Sequence, residues 1–298
     1  MILAGTTTAS IQHNRQSQHF RHAHGSWVPH PSNSFSSLGW ESTEPTLCER
    51  IAKPQTTLTR YHEFMPRFPS GQTLLIDADD TLWENNVYFE RAIAAFISYL
   101  DHHEYSPAEV RQALNAVERE TILAHGYGLP SFTRSLVTCF ERLSPHPLDG
   151  ERRRRIVGFA DSIAEQEIEL LPQVEETLRD LATRHKLIML TKGDLAEQAD
   201  KVRRSGLAHH FSVVEIVAEK DPPTYRAVIA RHELTPHASW MIGNSPKSDI
   251  NPALAAGLHA VFLFHKDTWV LEHAAISAAP EGQYFFEIDS FARLLEIF

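Results

Sequence analysis

An α/β fold, a doubly wound parallel sheet carrying an inserted all-helical module, is predicted by three features of the sequence. Short apolar runs of strand length alternate with helical patterns from about residue 186 onward, which is the rhythm of a parallel sheet. The stretch between Val87 and Pro172 reads as helix throughout and interrupts that rhythm. Polar clusters rich in Asp, Lys and Gly follow the apolar runs, where an open parallel sheet binds its ligands.

The elements follow in order. TLLID, ending at Asp77, is an apolar run closing on an acid and reads as a buried strand. A helix is expected over Phe89–Asp101. Another runs from Pro107 to Ala124, with Ser106 as N-cap and Glu109 completing a capping box. Further helices are expected at Ser131–Leu143, Gly150–Leu170 and Val174–Arg184. KLIMLT is the next strand, followed by a helix over Leu195–Ser205 that Gly206 stops. Then come the strand FSVVEIV, a helix at Thr224–His232, the strand SWMIGN, a helix at Pro252–Ala256 and a last strand AVFLF. Trp269 and His273, beyond that strand, are expected to pack the domain edge. The organisation expected is a tail over 1–65, a core domain over 66–86 and 173–298, and a helical module over 87–172.

Composition narrows the function classes. The 298 residues are 42% hydrophobic, enough for a packed core. No run approaches the about 18 apolar residues of a membrane span. A formal charge of −10 argues against a general nucleic-acid binder. Cys48 and Cys139, without metal-ligand spacing, argue against a disulfide scaffold and point to a reducing compartment, the cytoplasm. The first 65 residues differ from the rest. Met1–Trp40 contains no Asp or Glu and is dominated by His, Ser, Thr, Gln and Asn. It reads as a disordered tail, an acid-poor targeting segment, or the product of a start placed upstream of Met65. His19, His22, His24 and His30 within it read as a solvated tract rather than a metal site.

The chemistry lies after the strands. Asp77-Ala78-Asp79-Asp80-Thr81 follows the first, Thr191-Lys192-Gly193-Asp194 the second, Glu219-Lys220-Asp221 the third and Gly243-Asn244-Ser245-Pro246-Lys247-Ser248-Asp249 the fourth. Two carboxylates at i and i+2 can hold a hard cation while one oxygen stays free to attack. A lysine and a hydroxyl beside them suit a phosphoryl group. Asp80 and Asp194 read as local caps and turns, Lys247 and the run Arg152–Arg155 as solvated.

This set, in this order, resembles the haloacid dehalogenase superfamily of aspartyl-phosphate hydrolases over about Thr73 to Phe264. The resemblance implies a Rossmann-like core with a helical cap closing over the site. It assigns Asp77 as nucleophile, Asp79 as general acid/base whose carbonyl also binds Mg²⁺, Thr191 as a phosphoryl ligand and Lys220 as the neutralising lysine. Mg²⁺ would be held by Asp77, Asp79, Asp249 and Asn244. Asn244 stands where the family usually has an acid, so it offers an amide oxygen without charge. Lys192 and Gly193 extend the substrate-binding set, Lys192 facing either a substrate anion or solvent. Tyr127, between Gly126 and Gly128, is either presented to a ligand or packed on the cap. Asp79 selects phosphate-ester cleavage over dehalogenation, because a departing alkoxide needs a proton. The absence of any lysine between Val87 and Pro172 argues strongly against a phosphonatase, which the resemblance would give a Schiff-base lysine in the cap. The reading is a Mg²⁺-dependent phosphatase of a small phosphorylated metabolite. A phosphotransferase or mutase and a non-catalytic binding member are the alternatives.

Overall fold

The computed structural model describes residues 67–100 and 104–298. The tail expected over 1–65, with its histidines, Cys48 and Met65, lies outside the described residues, as does the expected helix end at Asp101.

Six parallel strands form one sheet: β1 (Thr73–Ile76), β2 (Lys186–Lys192), β3 (Val213–Val217), β4 (Ser239–Gly243), β5 (His259–Leu263) and β6 (Phe285–Ile288), in the order β3-β2-β1-β4-β5-β6. The parallel register pairs Ile76 with Met189 on one side and with Ile242 on the other. Alternate residues serve opposite faces, as strands buried on both sides must. Leu74, Ile76, Met189, Trp240 and Ile242 pack with α5 (Val174–Leu181) and α9 (Leu294–Ile297). Leu75, Ile188, Leu190 and Met241 pack with α7 (Pro222–Arg231) and α8 (Asn251–Ala255).

Between β1 and β2 the chain forms α1 (Asn86–Tyr99), α2 (Pro107–His125), α3 (Leu129–Leu143) and α4 (Gly150–Ala164), with a core of their own built from Phe96, Leu114, Leu136 and Ile156. The capping box is present: the Ser106 hydroxyl accepts from the Glu109 N–H, and Glu109 accepts from the Ser106 N–H at 2.8 Å. Gly206, at φ 71°, ends α6 (Leu195–Ser205) as expected.

Three expectations are corrected. α4 stops at Ala164, not Leu170, because the following segment is extended against the chain leaving β1. Glu84 N donates to Glu169 O, and Leu171 N to Leu82 O, both at 2.9 Å. α7 begins at Pro222 rather than Thr224, since the Asp221 carboxylate caps the Thr224 N–H and a proline suits the first helical turn. β5 is not the last strand: the aromatic run at Phe285–Phe286 adds β6 at the sheet edge, and α9 follows.

Glu118 is a buried carboxylate in the α1–α4 unit, and its Oε2 has no hydrogen-bond partner among the described residues. Burial pushes its pKa up to about 7, against the pull of Arg111, while Glu90 adds to the rise and Arg119 opposes it. A carboxyl whose folded pKa is raised stabilises fully below its unfolded value, and that contribution is lost as pH rises through the folded value. The chain is therefore expected to lose about 3 kcal/mol between roughly pH 4.5 and 7 through this group. Glu118→Gln should flatten that part of the profile, as read by urea midpoints across the window.

Candidate active site

β1 and β4 are neighbours at the point where the strand order reverses, which opens a crevice at their carboxyl ends. Asp77 enters it directly from β1, its N–H still on the ladder with Ile242 O at 2.9 Å. The chain then turns sharply. Leu82 N donates to Ala78 O at 2.8 Å, and Asp80 takes a left-handed φ of 58°. Asp80 Oδ1 accepts from the N–H groups of Asn85 and Asn86 at 2.8 and 2.9 Å, so this acid caps α1, the local role expected for it.

One lysine serves two buried carboxylates. Lys220 Nζ reaches Asp77 Oδ1 at 2.5 Å and Asp249 Oδ1 at 2.8 Å, with the lysine side chain 1% exposed. Burial opposes the lysine's charge, but Asp249 and Asp77 hold its pKa above the ordinary value. Burial and the charge of Asp77 push Asp249 up to about 7 despite Lys220. One lysine against two carboxylates leaves the cluster with surplus negative charge once Asp249 is ionised. Thr81 Oγ1 lies 3.0 Å from Asp77 Oδ2 and 3.4 Å from Asn244 Oδ1, so it gathers two oxygens at one point. Hard oxygen donors beside surplus negative charge fit Mg²⁺. Asp249 is also fixed from its other oxygen, which accepts from Ser245 N–H at 3.0 Å inside the π-helical turn Pro246–Ile250.

Asp79 is held separately. Lys201 Nζ contacts its two oxygens at 2.7 and 2.6 Å, Gln198 donates at 2.9 Å and the Trp83 indole at 2.8 Å. Burial would raise its pKa, but the Lys201 charge and these hydrogen bonds outweigh it and hold the carboxyl below the usual range. Gln198 in turn accepts from the Thr191 hydroxyl at 3.2 Å. Gly193, at φ 147°, lets Gln198 approach: a Cβ there would lie 2.9 Å from its amide nitrogen.

Lys192 is neither solvated nor free. Its Nζ contacts Glu272 at 2.7 Å, Ser248 Oγ at 2.6 Å, Tyr127 OH at 3.3 Å and Glu219 at 3.4 Å. Tyr127 OH donates to Glu219 at 2.7 Å, and the Lys192 ammonium lies 4.6 Å from the centre of the Tyr127 ring. The Tyr127 loop crosses to the sheet domain a second time, where Leu129 N donates to Glu197 at 2.8 Å.

All nine residues selected from the sequence, Asp77, Asp79, Tyr127, Thr191, Lys192, Gly193, Lys220, Asn244 and Asp249, line one cavity of about 160 Å³. Sequence reasoning missed three of its neighbours. Gln198 and Lys201 lie one turn apart on α6, and Glu272 lies between β5 and β6. The spacing of Gln198 and Lys201 on one helix face behind Asp194 was an available signal. Trp269 was expected at the domain edge. Instead it lines the cavity and meets Tyr127 edge-on, ring centres 6.4 Å apart, because the loop into β6 folds back over the strand ends.

A doubly wound parallel sheet with carboxylates and lysines at its strand ends, covered by a helical insert, defines a class of hydrolase. The chain belongs to the haloacid dehalogenase-like hydrolase family, whose model matches residues 72–257. It is 33% identical over 100 residues to a phosphoserine phosphatase of Thermus thermophilus; that match spans 32% of this chain and only 40% of the relative's length. Its structure is similar to that of a haloacid dehalogenase-like family hydrolase from Xanthomonas campestris, at 29% identity and a TM-score of 0.63, covering 76% of this chain and 93% of that one. An L-2-haloacid dehalogenase from Xanthobacter autotrophicus shares the fold, at 15% identity and a TM-score of 0.52, over 76% of this chain and 97% of that one. Among the described residues, no helix is long and apolar enough to cross a membrane.

Proposed function

We propose that this hydrolase is a Mg²⁺-dependent phosphatase that cleaves a small phosphate monoester through an aspartyl-phosphate on Asp77. Asp79 carries the reading. It is a second carboxylate two residues beyond Asp77 in the same cavity, and Lys201, Gln198 and Trp83 fix its orientation. Cleaving a carbon–halogen bond needs no proton donor for the departing halide, whereas an alkoxide does. The name of the Thermus thermophilus relative, phosphoserine phosphatase, supports a small phosphorylated substrate.

In this scheme a carboxylate oxygen of Asp77 attacks phosphorus in line as the ester oxygen leaves. Lys220 stays charged between Asp77 and Asp249 and screens the approach of a phosphate to an acidic site. The Thr191 hydroxyl exchanges Gln198 for a phosphoryl oxygen. The incoming phosphate competes with Asp79 for Lys201 and loosens the ion pair that keeps Asp79 ionised. Asp79, freed of Lys201, takes up a proton from solvent and delivers it to the leaving oxygen, and the carboxylate so regenerated takes a proton from the water that hydrolyses the aspartyl-phosphate. Asp77, Asn244, the Asp79 carbonyl and Asp249 would hold Mg²⁺, which when bound supplies positive charge to the phosphoryl oxygens. Phe89, Ile122 and Phe132 from the helical insert line the cavity and limit the leaving group to a small one.

The test is phosphate release from a panel of small phosphate monoesters, with and without Mg²⁺, beside chloride release from 2-chloro acids. Magnesium-dependent phosphate release with no dehalogenation is expected. Chloride release, or inertness across the panel with Mg²⁺, overturns the reading.

A further inference from the structure

We propose that Asp80, Glu84 and His265 form a second cation site, suited to Zn²⁺, that ties the turn after β1 to the loop after β5. One ligand atom from each of the three lies within 4.8 Å of the others. Glu84 and His265 do not line the catalytic cavity, and Asp80 faces them from its rim.

Two observations point to a ligand rather than to a self-sufficient cluster. Glu84 Oε2 is a buried oxygen with no hydrogen-bond partner among the described residues, and it faces His265 within the group. The His265 side chain is 9% exposed, so its imidazole is largely shielded from water beside that oxygen. An unpaired carboxylate oxygen and an imidazole buried together are costly unless something compensates them. Their mutual spacing supplies the geometry. His265 Nε2 and Glu84 Oε2 are 3.4 Å apart and form no hydrogen bond. That is long for a charge-assisted N–H···O bond of about 2.8 Å. It equals the edge, about 3.4 Å, of a tetrahedron with metal–ligand bonds of about 2.1 Å.

The donor set selects the ion. Mg²⁺ prefers an all-oxygen shell, whereas an imidazole with two carboxylates suits zinc. Asp80 is already oriented, since its Oδ1 is fixed by the Asn85 and Asn86 N–H groups at the start of α1. Asn86 Nδ2 donates to Asp267 O at 2.7 Å, so the two segments that the ion would join are already in register. A bound cation would add a strong link to that single hydrogen bond.

The test titrates ZnCl₂ into the full chain in excess Mg²⁺, by calorimetry and by counting zinc retained after dialysis, for the natural sequence, His265→Asn and Glu84→Gln. The natural chain is expected to hold one more zinc than either variant, or to hold that ion about ten-fold or more tightly. The histidines of residues 1–66 are unchanged in all three proteins, so zinc taken by them cancels. Circular dichroism without zinc checks that both variants fold. Glu84→Gln, at a half-buried position with shape preserved, decides the matter should His265→Asn not fold. Equal zinc number and affinity in all three proteins would mean that Glu84 and His265 are an ion pair only, and would overturn the site.

Discussion

Asp77→Asn is expected to lower phosphate release by about 10³-fold or more, because the amide retains the shape of the nucleophile and none of its nucleophilicity. The same substitution should leave stability unchanged or improve it. The Asn Oδ1 can still accept from Lys220, and Thr81 can turn its hydroxyl to Asn244. Lys220 then serves one carboxylate instead of two, and of the burial and Asp77 charge that push Asp249 up to about 7 only the burial remains. An inactive protein with an equal or higher melting temperature is the expected outcome, since functional sites commonly trade stability for chemistry. Near-wild-type turnover of a phosphate ester by this variant would remove Asp77 from the reaction.

Lys220→Met is expected to destabilise the fold by about 3–5 kcal/mol, the usual cost of removing one partner from a buried ion pair. Asp77 and Asp249 would be left facing each other without a counter-charge. Urea unfolding should show the loss, and adding Asp249→Asn to the same protein should recover a large part of it. Activity should stay absent in both variants. If Lys220→Met unfolds at the wild-type midpoint, the three groups are not a buried charged cluster.

The fold was legible wherever local pattern and burial agree. The central strands β1 and β4 are buried on both faces and therefore apolar, the partly buried edge strand β3 is apolar but for Glu215, and the capping box at Ser106 is local by nature. β6 escaped because it is an edge strand of four residues whose burial is incomplete. The site residues at strand ends were legible because parallel sheets converge their carboxyl ends. Lys201 was missed: its spacing with Gln198 is a weak signal in a run of ordinary helix residues, and its partner Asp79 is 122 positions away. Glu272 escaped for the same reason, as an acid in a loop whose return over the strand ends no local spacing encodes. Lys192 was left open between substrate and solvent, and its four contacts come from four separate segments.

The Tyr127 loop bears on timing as well as shape. Gly128 sits so close to α6 that a Cβ there would lie 3.0 Å from the Asp194 Cβ. On either side, Tyr127 is held to the sheet domain by hydrogen bonds with Glu219 and Lys192, and Leu129 by one with Glu197. The gate is therefore shut by few bonds, each worth about 1 kcal/mol net. On the proposed phosphatase reading, breaking these bonds would widen the way in for an ester and the way out for its products, at a cost of only a few kcal/mol. Such a gate cycles on the microsecond-to-millisecond scale. Where that opening is slower than the chemistry, substrates that differ only in fit inside the cavity share one turnover ceiling.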